Sequence, residues 1–410
     1  MAKKLASEPA SPQLATIGLA CAGGVVEGAI YEIGALCALE DSIKGLDLNR
    51  LGVYVGISSG SLITSCLANG IPIRELSRAL VGKAAETDMN FRPTMVFNLA
   101  FGEYFTRLSN LPHAIWKSLD FLLKRPSEWS LWGSLGGFSS VIPSGLFQND
   151  GLERFLRNLF EKEGRTNDFR KLNTKLRVVA TELDTSEVVS FGDAEWADVP
   201  ISKAVQASTA LPGLYTPVEI SGRAYIDGVA RRTVHATAAL NAGAQLLFCI
   251  NPIVPVNTRG ENDDSERRLT DFGLPAVMSQ TLRVMVASRM QTGFERYKTM
   301  YPEAQTVLIE PNIDDLEVFF SNIFSFSNRY KVCEHAYQTT RAHLRAHAEV
   351  MAPQLAAHGL ALDWDVLNAD VSLFAEEETE PRLPLRRQAD ETLTRLQDAI
   401  EALRRQVSTP

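Results

Sequence analysis

Residues Gly56-Ile-Ser-Ser-Gly60 stand between an apolar run, Leu51-Gly-Val-Tyr-Val55, and a stretch of helical character, Ser61-Leu-Ile-Thr-Ser-Cys-Leu67. A strand that turns into a helix within five residues, with glycine at both ends, is a nucleophile elbow with Ser58 at its apex. The turn forces the serine into a strained backbone conformation, and the flanking segments pass too close for side chains at Gly56 and Gly60. Its hydroxyl is thereby held clear of the sheet, next to a helix N-terminus whose dipole favours developing negative charge.

The same strand, glycine turn, helix pattern occurs upstream. Ile17-Gly-Leu-Ala-Cys-Ala22 runs into Gly23 and Gly24 and then into Glu27–Leu39, with apolar residues at Ile30, Ile33, Ala35, Leu36 and Leu39. Backbone N–H groups freed in such a turn suit either a dinucleotide pyrophosphate or the oxyanion of a tetrahedral acyl intermediate. Glycines at 23, 24 and 28 do not fit the Gly-x-Gly-x-x-Gly of dinucleotide sites, although Glu40 and Asp41 lie where a ribose-binding carboxylate is expected. The cofactor reading leaves the serine elbow unexplained, so no cofactor is expected.

A third feature is Asp227-Gly228, after the strand-like Arg223-Ala-Tyr-Ile226 and the stretch Ala207-Ser-Thr-Ala-Leu-Pro-Gly-Leu-Tyr-Thr-Pro217. With these three motifs in order, the chain resembles the patatin-like phospholipases, lipid acyl hydrolases that join a glycine-rich oxyanion loop, a Gly-x-Ser-x-Gly elbow and an Asp-Gly-Gly or Asp-Gly-Ala motif. The resemblance covers roughly residues 15 to 240 and includes Leu176–Phe191, similar to the family's paired strands. It implies a Ser-Asp dyad with Ser58 as nucleophile and Asp227 as base, an oxyanion hole at Gly23, Gly24 and Val25, an acyl-enzyme and a lipid ester substrate. It also implies a three-layer α/β/α domain with a mainly parallel central sheet.

Four positions depart from the family pattern. Val25 takes the place of a third consecutive glycine, Glu27 that of a basic residue and Val229 that of a small residue, and one extra residue separates Gly28 from Gly34. A branched side chain restricts the backbone at 25, and an acid at 27 opposes catalysis if its charge points at the oxyanion. These departures leave open a lipid- or protein-binding member without turnover. The dyad serves equally for acyl transfer to an alcohol.

An unperturbed aspartate, with a pKa of about 3.9, is a weak base for a serine hydroxyl. The dyad therefore calls for a buried Asp227. His235, eight residues beyond Asp227, is a competing base, since the order Ser, Asp, His also suits an α/β-hydrolase triad. It falls, however, in Thr233–Leu240, which reads as a helix. His343 and His347 share a helix face at i, i+4, but without a clustered acid they read as solvated residues, and no metal is expected.

The motifs span more than 200 residues and must meet in space, which points to one large catalytic domain over residues 15–330. A short disordered leader is expected at 1–14 and a helical extension at 331–410, in which Leu393, Leu396, Ile400, Leu403 and Val407 trace about two heptads beyond a linker at 376–384. Residues 91–147 interleave aromatic residues (Phe101, Tyr104, Trp116, Trp129, Trp132) with Arg107, Lys117, Lys124 and Arg125; they read as a helical insertion, and they suit a lid or peripheral membrane contact as well as ordinary packing. Phe319, Phe320, Phe324 and Phe326 form a second aromatic cluster, for an acyl pocket or for packing.

A net charge of −8 argues against nucleic acid and gives no general attraction to anionic lipid, so membrane contact would be local and apolar. The five cysteines lie mostly inside apolar runs without paired spacing, as buried thiols in a reducing compartment do, and no signal or membrane span is apparent; cytoplasmic residence is expected. Head group, acyl length and oligomeric state are not written in these patterns.

Overall fold

The computed structural model describes residues 14–81, 98–99, 143–231, 234–258, 268–314 and 326–374. Its centre is an eight-stranded sheet: β1 (Ile17–Cys21), β2 (Val53–Ile57), β3 (Lys175–Glu182), β4 (Val188–Phe191), β5 (Val218–Ile220), β6 (Arg223–Asp227), β7 (Leu246–Ile250) and β8 (Gln305–Ile309). The order is β8-β7-β1-β2-β3-β6-β5, with β4 also pairing β3. The five strands from β8 to β3 run parallel, and β4, β6 and β5 join antiparallel. Strands β1, β2 and β7 are buried at every position, which explains why they read as continuous apolar runs rather than alternating ones.

Helices cover both faces. Alternate residues Ala20, Val53, Val55 and Ile57 point into a core shared with α6 (Ala236–Asn241) and with Val286 and Met290 of α7 (Gly273–Met300). The other layer holds α1 (Val25–Ser42), α2 (Ser59–Ala68) and α8 (Phe326–Ala346); α2 packs on β1, β2 and β3, and α1 packs against α8. Further helices are α3 (Ile73–Leu80), α4 (Asp150–Phe160) and α5 (Ile201–Ser208). The α/β class, the mainly parallel sheet and the paired strands within 176–191 agree with the sequence reading.

The chain groups into a compact unit, Met1–Ala369, and a second, Asp370–Pro410. The expected leader up to residue 13, nearly all of the aromatic segment 91–147, Phe319, Phe320 and Phe324, the linker at 376–384 and the heptad seam from Leu393 to Val407 lie outside the described residues. Leu14 itself opens a short 3-10 turn, Leu14–Thr16. Among the described residues no helix is long and apolar enough to cross a membrane.

Register alone brings the two ends of the site together. Ile57 pairs with Val179, so Ser58, the next residue, is level with Ala180, and Ala180 pairs on its other side with Asp227. Ser58 and Asp227 thus flank one residue of β3, two strand spacings or about 10 Å apart in backbone. Packing of the central strands sustains this register. Phe248→Ala on β7, a position with no exposed surface, is expected to lower the unfolding free energy by about 3–5 kcal/mol in a denaturant titration.

Candidate active site

Ser58 has φ 51° and ψ −124°, a conformation that L-residues avoid, and it stands at the N-terminus of α2. The turn is closed by hydrogen bonds rather than by its own preference. Ser58 N–H donates to Ser208 Oγ at 2.9 Å, Ser208 Oγ donates to the Val179 carbonyl at 2.6 Å, and Ser61 Oγ donates to the Ser58 carbonyl at 2.6 Å. The elbow glycines are fixed by contact: a Cβ on Gly56 would meet Thr64 Oγ1 at 2.2 Å, and one on Gly60 would meet the carbonyl oxygens of Ala22 and Cys21 at 2.4 Å. α2 begins at Ser59, two residues before the apolar run in which the sequence places it, because the turn leads into the helix without a spacer.

Asp227 ends β6 and is 1% exposed. Its carboxylate accepts a hydrogen bond from the Val229 amide at 2.9 Å and lies near enough to the Ser58 hydroxyl for that donor to favour its charged form, while its own N–H donates to the Ala210 carbonyl. Burial pushes the carboxyl up to about 7, against the opposing pull of those two donors. Asp227 is thus buried, and the strand register sets it level with Ser58 across one residue of β3.

The glycine loop closes the other side. A Cβ at Gly23 would lie 2.6 Å from Ser58 Cβ, so the loop passes directly against the serine. The amides of Gly23, Gly24 and Val25 have no hydrogen-bond partner among the described residues, and Gly60 N–H ties the elbow helix to the loop through the Ala22 carbonyl at 3.0 Å. Val25 adopts φ 56°, a left-handed conformation usual for glycine and costly for a β-branched residue, on the order of 1–3 kcal/mol. The valine thus keeps the loop in a glycine-like path.

Glu27 does not line the cavity beside Ser58. It faces a second cavity with Arg283, on the opposite side of α1, where burial raises its carboxyl to about 7 and the Arg283 charge opposes that rise.

A cavity of about 60 Å³ opens at Ser58. Val25, Val26, Ala29, Ile30, Leu62, Leu80, Leu152 and Leu211 make most of its wall, with Ser59, Asn149, Thr209, Tyr215 and Arg329 among the rest. Asn149 is anchored to the Gln206 carbonyl and to Thr209 Oγ1. Below the elbow, Glu32 is fully buried, and its carboxyl, pushed well above the usual range by burial, takes the Ser59 hydroxyl at 3.5 Å. Sequence reading missed Ser208, Asn149, Glu32 and Arg329. Ser208 and Glu32 lay in stretches already read, Ala207–Pro217 and Glu27–Leu39, but nothing local marked the Ser208 hydroxyl as the partner of a residue 150 positions away.

The competing candidates fall elsewhere. His235 precedes α6 instead of lying inside a helix, with φ 49° and its ring 3.5 Å from Thr237 Oγ1, and it does not line the Ser58 cavity. The helix expected over 233–240 starts only at Ala236, after His235 in a left-handed conformation, and residue 233 lies outside the described residues. Glu40 accepts the Leu48 amide, and Asp41 pairs with Arg74 and Tyr337, so both acids beyond the glycine loop serve the fold. His343 and His347 stack at 4.2 Å, and no metal-holding cluster occurs among the described residues.

Asp227 also sets a stability test. Its folded pKa lies above the unfolded value, so the native state keeps a proton that the unfolded chain releases between about pH 4 and 7, and its contribution to stability is lost as pH rises through that window. Asp227→Asn removes the loss. The variant is expected to exceed the wild type by on the order of 3 kcal/mol at pH 8, with the gap closing toward pH 4, in urea titrations across pH.

A curated relative, the uncharacterized protein R571 of Acanthamoeba polyphaga mimivirus, is 27% identical over 210 residues, which cover 51% of this chain and 57% of that protein. The chain therefore matches little more than half the length of that relative. Among solved structures, VipD from Legionella pneumophila aligns with 82% of this chain and 68% of its own at 15% identity and a TM-score of 0.35. ExoU, a type III effector from Pseudomonas aeruginosa, aligns with 82% of this chain and 54% of its own at 16% identity and a TM-score of 0.34. The family model described as patatin-like phospholipase matches residues 19–240, more than half of the chain and all three motif regions, and the chain belongs to that family.

Proposed function

We propose that the protein is a serine esterase that hydrolyses acyl esters of lipids through a Ser58–Asp227 dyad and an acyl-enzyme. The observation that carries this reading is the placement of the Ser58 hydroxyl beside a buried Asp227, whose carboxyl burial pushes up to about 7, at the mouth of an apolar cavity. An aspartate raised by about three pKa units is a stronger base by the same factor, so burial supplies what an ordinary aspartate lacks.

Ser58 Oγ attacks the ester carbonyl while its proton passes to Asp227. Negative charge then develops on the carbonyl oxygen, where the unpartnered amides of Gly23, Gly24 and Val25 and the N-terminus of α2 stabilise it. Collapse expels the alcohol, which takes the proton from Asp227. Water, deprotonated by the same carboxylate, then attacks the acyl carbonyl; the bond to Ser58 Oγ breaks, the fatty acid leaves, and Asp227 returns the proton to Ser58 Oγ. The apolar wall from Val26 to Leu211 takes the acyl chain, and this favours lipid esters over polar ones.

The test is labelling with a fluorophosphonate followed by peptide mapping. The adduct is expected on Ser58, absent in Ser58→Ala and slowed at least about 100-fold in Asp227→Asn; an adduct elsewhere, or full ester hydrolysis by Ser58→Ala, overturns the reading. Because the base must be ionised, kcat/KM on a soluble short-chain ester is expected to rise about tenfold from pH 6 to pH 8 in a stopped-time assay.

A further inference from the structure

The first turns of α1 stand between two cavities. Val25, Val26, Ala29 and Ile30 face the one beside Ser58; Gly24, Glu27, Gly28 and Tyr31 face the other, and at 100° per residue these are opposite sides of the helix. The second cavity, about 20 Å³, has room for one water molecule, and Pro252, Ile253 and Arg283 of α7 complete its wall. Arg283 Nη1 donates to the Val254 carbonyl at 3.2 Å, so the guanidinium is fixed to the segment that follows β7. One and a half turns along α7, Arg289 Nη1 donates to the Ala230 carbonyl at 2.7 Å, three residues after Asp227. A single helix therefore grips the chain on both sides of the site.

We propose that Glu27 and Arg283 are positioning residues for the oxyanion loop, a charge pair across the second cavity that holds the start of α1, and with it the Val25 amide, in the orientation that receives the oxyanion. The inference rests on the esterase reading of Ser58 and adds to it the means by which this loop is held.

Three observations converge. Val25 is in a left-handed conformation that its side chain disfavours, so neighbours must impose the loop's path. Glu27, two residues on, has its carboxyl on the side away from the reacting centre and shares a small cavity with an arginine, and the charge of each group favours the charged form of the other against the larger effect of burial. This loop carries an acid where the family pattern has a base, and the cation comes instead from α7. The groups that face Glu27 are Arg283 from α7 and Tyr31 from its own helix; the Pro252–Ile253 segment brings no charge.

The experiment compares wild type, Glu27→Gln, Arg283→Met and the exchanged double variant Glu27→Arg with Arg283→Glu on a soluble p-nitrophenyl ester. Each single change is expected to lower kcat by about tenfold or more with KM within about twofold, and the exchange to recover most of the loss. In the wild type two carboxyls ionise near pH 7, so log kcat/KM is expected to fall more steeply than one per pH unit just below pH 7; in Glu27→Gln the slope there is one, from Asp227 alone. Wild-type kcat and slope in Glu27→Gln, an isosteric change, would overturn the pairing, as would losses that simply add in the double variant. If the wild type shows no Ser58-dependent hydrolysis, the esterase reading fails. Hydrogen exchange at residues 23–28 then decides the pairing separately: faster exchange in both single variants, reversed by the exchange of charges, supports it, and unchanged exchange rejects it.

Discussion

A carboxylate with almost no exposed surface is costly unless its neighbours donate to it; Asp227 takes a backbone amide two residues away and has the hydroxyl of Ser58 beside it. That pairing depends on the rest of the molecule. It requires β6 to lie antiparallel beside β3, so that a strand end arrives level with the elbow, and it requires the elbow to hold Ser58 in a backbone conformation that the serine would leave if released. The antiparallel flank of an otherwise parallel sheet is thus the topological feature that lets carboxyl and hydroxyl approach from different strands.

Two residues with side chains, Ser58 and Val25, occupy left-handed backbone conformations within the same small region. Strain gathered at one place is stable only where surrounding bonds over-determine it. Ser208, Ser61 and the Gly60 amide do this for the elbow and the loop's entry, while the loop's far side leans on α1 and α7. The polar groups behind the elbow are therefore scaffolding, although several are hydroxyls close to Ser58.

The parts of the fold that could be read in advance are those whose signals are local. Strand, glycine turn and helix are contiguous at residues 17–39 and 51–67, so apolar periodicity and glycine placement revealed both junctions, with boundaries off by one to three residues. Asp227 was legible through a motif resemblance, since no periodicity links it to Ser58. Ser208, Asn149 and Arg283 were not legible, because each acts on a partner brought near only by tertiary packing. Glu27 illustrates the limit: its identity raised the question of an opposing charge, but which face of α1 it takes relative to the oxyanion is a matter of helical phase and of a helix some 250 residues later.

All five cysteines of the chain, Cys21, Cys37, Cys66, Cys249 and Cys333, are buried, and burial pushes every one of their thiols up, so the reactive thiolate is scarce at neutral pH. The native surface is consequently silent toward maleimides. A single cysteine engineered at an exposed position such as Met278 on α7 would accept a fluorophore or spin label without removal of any natural thiol, which makes the motions of this helix directly observable in the otherwise unaltered protein.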